Sequence, residues 1–369
     1  MKRSRIRSWL AVLVSAATWG CTWTRPFTDG SGRVIPGSIA SMETIELGGV
    51  RQSVWFRGRD VKAPALILLH GGPGASEAAL FRHYDAALED HFLVVYWEQR
   101  GAGRSYHSDI PRSSMTIDQM VQDLDELVDT VRSRFGKERV VLLGHSWGTI
   151  LGTLYATRHP QKVSVYVGVA QITNFSEGER TSLAWALREA DGRGDRRALA
   201  ELRALSPAPR SVDDELALGR WVERLGGMRR GGLSTGKLIW AALRTDEAGL
   251  MDLVRFGRGN RFSLVALRPE YSRVDLTRLR CFDVPVIFML GRHDWHVPSV
   301  LADQYFAAID APNKRLVWFD DAGHDPPFEE PDAFVRATVA HVRRLAVEVR
   351  NAHDAPHCGE PARTTNPGD

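Results

Sequence analysis

The stretch "VVLLGHSWGTILGTLYATRHP", Val140 to Pro160, joins an apolar run, a serine between two glycines and a helix-favouring tail. Val140–Leu143 is apolar without alternation, as in a strand covered on both faces. From Trp147 to His159 the pattern suits a helix, so Ser146 falls on a sharp strand-to-helix elbow. Gly144 and Gly148 are expected there because side chains at those positions would collide. Such an elbow lifts the serine Oγ to the end of a sheet and sets the helix N-terminus beside it. Trp147 N–H is then placed to stabilise an oxyanion, and Ser146 is a candidate nucleophile.

Working outward, "METIEL-GG-VRQSVWFRG" reads as a hairpin turning at Gly48-Gly49. "ALILLH" (65–70) and "FLVVYW" (92–97) read as further buried strands. A helix is expected from Thr116 to Gly136, opened by a Thr116/Gln119 capping box and closed by the glycine. Val163–Val169, "VPVIFML" and "RLVWF" (315–319) complete the strands, with helices expected over Pro298–Ile309 and Pro331–Val349. Strands alternating with helices predict an α/β fold: a mostly parallel central sheet with helices on both faces. Between Gln171 and Arg280 strand-like runs vanish and helix-favouring stretches are separated by "DGRGD" and "SPAPR". That region reads as an inserted helical cap.

A serine hydroxyl needs a base, and the base an orienting acid. In elbow-type sites the chain order is serine, acid, histidine, with acid and base on loops after later strands. "IFMLGRHD" puts Asp294 after one strand, and "LVWFDDAGH" puts His324 after the next. Asp320, Asp321 and Asp325 are rival acids, but they crowd His324 instead of arriving from a separate loop. His293-x-x-His296 has metal-ligand spacing, yet only two histidines share that loop, and no metal or cofactor is expected. "HGGPG", His70 to Gly74, lets backbone approach a substrate closely, and Gly72 N–H is the second oxyanion-donor candidate.

Lys and Arg total 48 against 45 Asp and Glu, and the charges interleave, so the net +3 gives no footprint for nucleic acid. The three cysteines form no disulfide framework: Cys281 reads as a small buried hydrophobe, and Cys358 lies in a polar tail. "MKRSRIRSWLAVLVSAATWGC" has basic Lys2, Arg3, Arg5 and Arg7 before an apolar run, Trp9–Ala17, that suits a signal peptide but is too short to span a bilayer. Export is expected, with membrane attachment through the N-terminus or Cys21 as one form of it and an uncleaved cytoplasmic enzyme as the alternative. The organisation read from the chain is 1–20 signal or anchor, 21–42 linker, 43–170 core, 171–280 cap, 281–350 core and 351–369 disordered tail.

Four motifs coincide in order: "HGGPG" at 70, "WEQRGAGRS" at 97, "GHSWG" at 144, and "GRHD" then "AGH" at 291 and 322. Together, across roughly 43–349, they resemble the prolyl aminopeptidase (proline iminopeptidase) family of α/β-hydrolases. The resemblance implies the α/β-hydrolase fold and a serine exopeptidase acting on small peptides without metal or cofactor. It carries Ser146, Asp294 and His324 over as the triad, with Gly72 and Trp147 as the oxyanion hole. Glu98 stands where the family usually has aspartate and is a candidate substrate-binding residue. The family's cap glutamate motif, W-x-x-W-E, has no match: Trp185/Glu189 and Trp221/Glu223 do not fit it, and those two glutamates read as surface helix residues. A carboxylesterase or amide hydrolase with the same triad is the alternative, and a non-catalytic binding protein of this fold the remote one. Epoxide hydrolases and dehalogenases need a carboxylate at the elbow.

Overall fold

The computed structural model describes residues 23–205, 211–348 and 358. The expected signal segment, the "SPAPR" punctuation and all of the tail except Cys358 lie outside the described residues.

Eight strands form one sheet: β1 (Ile39–Leu47), β2 (Val50–Gly58), β3 (Ala65–Leu69), β4 (Leu93–Trp97), β5 (Val140–His145), β6 (Val163–Val169), β7 (Val286–Gly291) and β8 (Lys314–Phe319). Their order is β1-β2-β4-β3-β5-β6-β7-β8, with β1 and β2 antiparallel and the rest parallel. β3 to β7 are buried along their whole length, as their unbroken apolar runs predict. The first strand reaches back to Ile39, so the end of the expected linker pairs in the sheet, Ile39 opposite Gly58. Helix Ile117–Phe135 buries Met120, Val121, Leu124, Leu127, Val128 and Val131 on one face. Thr116 accepts the Gln119 N–H, but the Gln119 side chain donates to Asp123 at 3.0 Å, so only half of the expected box forms. The expected last helix is interrupted: Pro331–Ala337 and Arg344–Glu348 flank a π-helical turn, Thr338–Arg343.

Between β6 and β7 stand five helices: Phe175–Gly192, Arg196–Ala204, Val212–Arg224, Thr235–Leu243 and Leu250–Tyr271. The first three share an apolar centre of their own, including Ala186, Ala190, Leu202, Leu218 and Val222, while Leu238 of the fourth and Leu264 and Leu267 of the fifth pack into the core, and together the five cap the sheet. The cysteine reading is corrected. Cys281 is exposed, not buried, and is bonded to Cys358, whose N–H donates to Asp283 at 2.6 Å. No helix among the described residues is long and apolar enough to cross a membrane.

Candidate active site

β5 ends at His145, and Ser146 takes φ +51° before helix Gly148–Arg158 begins. A non-glycine residue in the left-handed region is strained and marks a constrained site. A Cβ on Gly148 would stand 1.9 Å from the Leu69 carbonyl oxygen on β3, and one on Gly144 would stand 2.7 Å from the Gly148 carbonyl oxygen. Both glycines are therefore required, Gly148 by a neighbouring strand as much as by its own turn. Trp147 caps the helix, which leaves its N–H among the groups with no partner inside the helix.

On the next loops His324 Nδ1 meets Asp294 Oδ2 at 2.9 Å, both buried. Asp294 Oδ1 accepts the N–H groups of His296 (2.9 Å) and Val297 (2.8 Å), so both of its oxygens are committed and its orientation is fixed. The rival acids lie elsewhere: Asp320 pairs with Arg292, Asp325 pairs with Arg229, and Asp321 is exposed at the surface. The cap holds this pair of loops in place. Met228 O accepts the His324 N–H at 2.6 Å, and Gly227 O accepts the Trp295 N–H at 2.7 Å. Trp185 stacks on Trp295 with ring centroids 5.6 Å apart.

A buried polar network ties the glycine loop to the elbow. Glu77 accepts the Gly71 N–H at 2.9 Å and contacts His145 Nδ1 at 2.8 Å. His145 Nε2 lies 3.0 Å from the His324 carbonyl oxygen, so both ring nitrogens face acceptors. Only the imidazolium can donate twice. Burial opposes that charge, but Glu77, Asp325 and the His324 carbonyl outweigh it and hold the His145 pKa up at about 9. His70 is the reverse case: burial lowers its pKa, its Nε2 accepts the Gln99 N–H at 3.0 Å, and Nδ1 faces Gly71 O at 2.8 Å. Gln99 in turn accepts Trp147 Nε1–H at 2.9 Å. Arg100 forms a bidentate pair with Asp123, 2.8 Å on each arm, inside the core. The segment "EQRG" thus braces the oxyanion candidates instead of touching substrate.

Ser146 and Gly72 line an open cleft between core and cap. Apolar Ile172, Phe175, Leu218, Val297 and Leu301 share its wall with Gln171, Thr173 and Asn174. Its ionisable lining residues, among those described, are Glu179, Glu215 and His296. Burial, reinforced by His324 and Arg229, drops the His296 pKa to about 3, so it is neutral. Carboxyl groups therefore dominate the described ionisable lining. Arg268 offsets part of this, pairing with Glu215 and standing 4.0 Å from Glu179, and Tyr271 donates to Glu215 at 2.8 Å.

One expectation changes here. Glu98 does not line this cleft: it is buried, accepts Ser76 Oγ–H (2.7 Å) and the Arg104 N–H (3.0 Å), and faces a separate hollow beside Trp55 and Asp252. Burial raises its pKa. Glu189 and Glu223 pair with Arg193 and Arg229, away from the cleft, while Glu179 and Glu215 belong to no motif in the sequence. His145, His324 and Asp325 offer ligand atoms within 4.8 Å of one another, but Glu77 and Arg229 already neutralise them, which makes this an ion-pair cluster.

Residues 64–331 match the family model for the alpha/beta hydrolase fold. The chain belongs to that family, and its resemblance to the prolyl aminopeptidase branch is supported by particular relatives. It is 33% identical over 310 residues to a probable aminopeptidase, YbaC, of Bacillus subtilis, covering 83% of this chain and 97% of that protein. It is 32% identical over 134 residues to a probable proline iminopeptidase of Streptomyces coelicolor, 35% of this chain and 40% of that one. The crystal structure of a proline iminopeptidase-related protein from Thermus thermophilus superposes with a TM-score of 0.60 at 23% identity, covering 84% of this chain and 99% of that one. That likeness shows the fold.

Proposed function

We propose that this hydrolase is a serine aminopeptidase that removes proline or another small residue from the N-terminus of short peptides. In this mechanism Ser146 Oγ attacks the scissile carbonyl while His324 Nε2 takes its proton. Asp294 holds the Nδ1–H and stabilises the imidazolium. The N–H groups of Gly72 and Trp147 receive the oxyanion. His324 then returns the proton to the leaving amine, and a water activated by the same histidine hydrolyses the acyl-enzyme.

One observation carries the peptidase reading: among the described residues, the only charged groups lining the cleft beside Ser146 are the carboxylates Glu179 and Glu215. A free α-ammonium group suits that lining, whereas an uncharged ester gains nothing from it. The test compares kcat/KM for prolyl-naphthylamide, its N-acetylated form and p-nitrophenyl butyrate. Preference for the free amine by about tenfold or more is the expected result. Indifference to acetylation, or turnover of the ester alone, would replace the peptidase by a carboxylesterase with the same triad.

We infer too that the protein works outside the reducing cytoplasm. The Cys281–Cys358 bond supports this together with the signal-like residues 1–20. An intact Met1 on the protein recovered from its native cell, measured by mass, would overturn export.

A further inference from the structure

The cap exposes an apolar end that the chemistry at Ser146 does not use. On helix Thr235–Leu243, Leu238 and Ala241 are buried, while Ile239 and Trp240 face outward, Trp240 with 63% of its surface exposed. The next helix, Leu250–Tyr271, begins with Leu250 (75% exposed), followed by exposed Met251 and Val254. Ala242, Gly249, Leu253 and Phe256 line one shared hollow, which places the two helix ends side by side. Single exposed apolar residues are ordinary, but here Ile239, Trp240, Leu250, Met251 and Val254 are all exposed on two consecutive helices whose ends meet at one hollow.

Charge left outside ion pairs around the patch is basic. Lys237 and Arg244 flank Trp240 at helical spacing, and Arg258 follows Leu250 and Val254 on theirs. Among the described residues none of these three cations enters an ion pair. The nearby acids are already matched by other groups: Asp246 by Arg25, Asp252 by Arg104 and Arg255, and buried Glu247 by Arg82. An apolar centre with a tryptophan and a basic rim is the pattern of an interfacial contact with anionic lipid.

The chain itself supplies the second observation. Thr24 donates to Glu247, and Arg25 pairs with Asp246 at 2.6 Å; both acceptors sit on the loop joining the two exposed helix ends. Trp23, the first described residue, is itself exposed. The preceding residues, with Lys2, Arg3, Arg5, Arg7, the apolar run Trp9–Ala17 and Cys21, therefore join the body at this same end.

We propose that the cap end carrying Trp240, Leu250, Met251 and Val254 rests on the surface of an anionic lipid bilayer. Stable membrane residence takes two weak signals together, and here the described chain starts, at Thr24 and Arg25, against the loop that joins the two helices of the patch. Arg268, over the cleft, lies eighteen residues along the helix from Leu250, roughly 27 Å at 1.5 Å per residue, so docking leaves the cleft open to soluble peptides.

The test uses the full chain and flotation with vesicles of phosphatidylcholine, with and without phosphatidylglycerol. Wild-type protein should partition onto the anionic vesicles, less so as salt rises. W240S/L250S/M251S should lower the partition coefficient by about tenfold or more. K237E/R244E/R258E should remove the preference for phosphatidylglycerol and its salt dependence. Both variants should turn over a soluble ester at the wild-type rate, which reports an intact fold. Absence of wild-type binding, or binding unchanged in both variants, would overturn the proposal. So would a wild-type oligomer that the serine variant dissolves, since the patch would then join copies of this chain.

Discussion

The two walls of the cleft are built differently. On the core side, the loops bearing Ser146, Asp294, His324 and Gly72 are braced by buried, mutually bonded groups: Glu77, His145, His70, Gln99 and the Arg100–Asp123 pair. On the cap side, Glu179 and Glu215 are partly exposed, come from different helices, and both reach Arg268 on a third. A preorganised site for developing charge needs the first kind of construction. A site that selects among substrates can be assembled from the second, because a changed cap residue alters what binds without disturbing the machinery.

The largest effect should therefore come from the core wall. Ser146→Ala should cut kcat by ~10⁴-fold or more with an unchanged melting temperature, because nucleophile, base and acid act as one unit. Substantial residual turnover would remove Ser146 from the mechanism. Asp294→Asn should cost about 10³–10⁴-fold, through loss of the histidine's tautomer and orientation. Asp325→Asn is the control: that carboxylate, held near pKa 2 despite burial by Arg229, His324 and His145, should show in stability more than in kcat. If Asp325→Asn were the crippled variant, the acid assignment would fall.

Smaller changes should separate binding from chemistry at the cap wall. Glu179→Gln and Glu215→Gln should each lower kcat/KM for a free-amine substrate by roughly tenfold to a hundredfold, the value of a charge-assisted contact. The ester should be little affected. Equal losses on both substrates would mean that the acids shape the cleft and do not read the amine.

How far each wall is legible in the sequence follows from its construction. The elbow is local: strand, two glycines and helix lie within one short stretch, and the Leu69 carbonyl makes Gly148 obligatory. Asp294 is separable from its rivals because an acid and a base on different loops can face each other, and His324 does meet Asp294. Glu98 misleads because its motif position speaks of the loop it braces, and burial takes it away from the cleft. Glu179 and Glu215 carry no spacing signal, since their proximity is created by three helices packing together. The disulfide is hidden by an odd cysteine count and a partner 77 residues away in a polar tail. Setting Cys21 aside with the signal-like N-terminal sequence leaves an even pair, which is the available clue.

That bond gives a prediction on stability alone. Cys281→Ser/Cys358→Ser should destabilise the protein by about 2–4 kcal/mol, because the unfolded chain regains the freedom of a long loop. Kinetic constants on the free-amine substrate should not change, since neither cysteine touches either wall. A change in KM would mean that the tail communicates with the cap.

The smallest effect concerns the brace under the core wall. His145 has a folded pKa of about 9, above the 6.5 of an unperturbed histidine. Its ion pair with Glu77 thus contributes fully below about pH 6.5 and is lost as pH rises through 9. The melting temperature of the wild type should fall by a few degrees more across that window than that of Glu77→Gln, whose uncharged amide removes the largest of the attractions that keep His145 protonated. His296 works on the acid side with the opposite sign. Its pKa of about 3 means that the unfolded chain binds a proton the folded one refuses, so stability is lost as pH drops below about 6.5 toward 3. His296→Asn should flatten that acid limb and leave the alkaline one, while Glu77→Gln should do the reverse. Both limbs changing together would mean that the histidines on either side of His324 titrate as one cluster, and the walls would then be less independent than their bonding suggests.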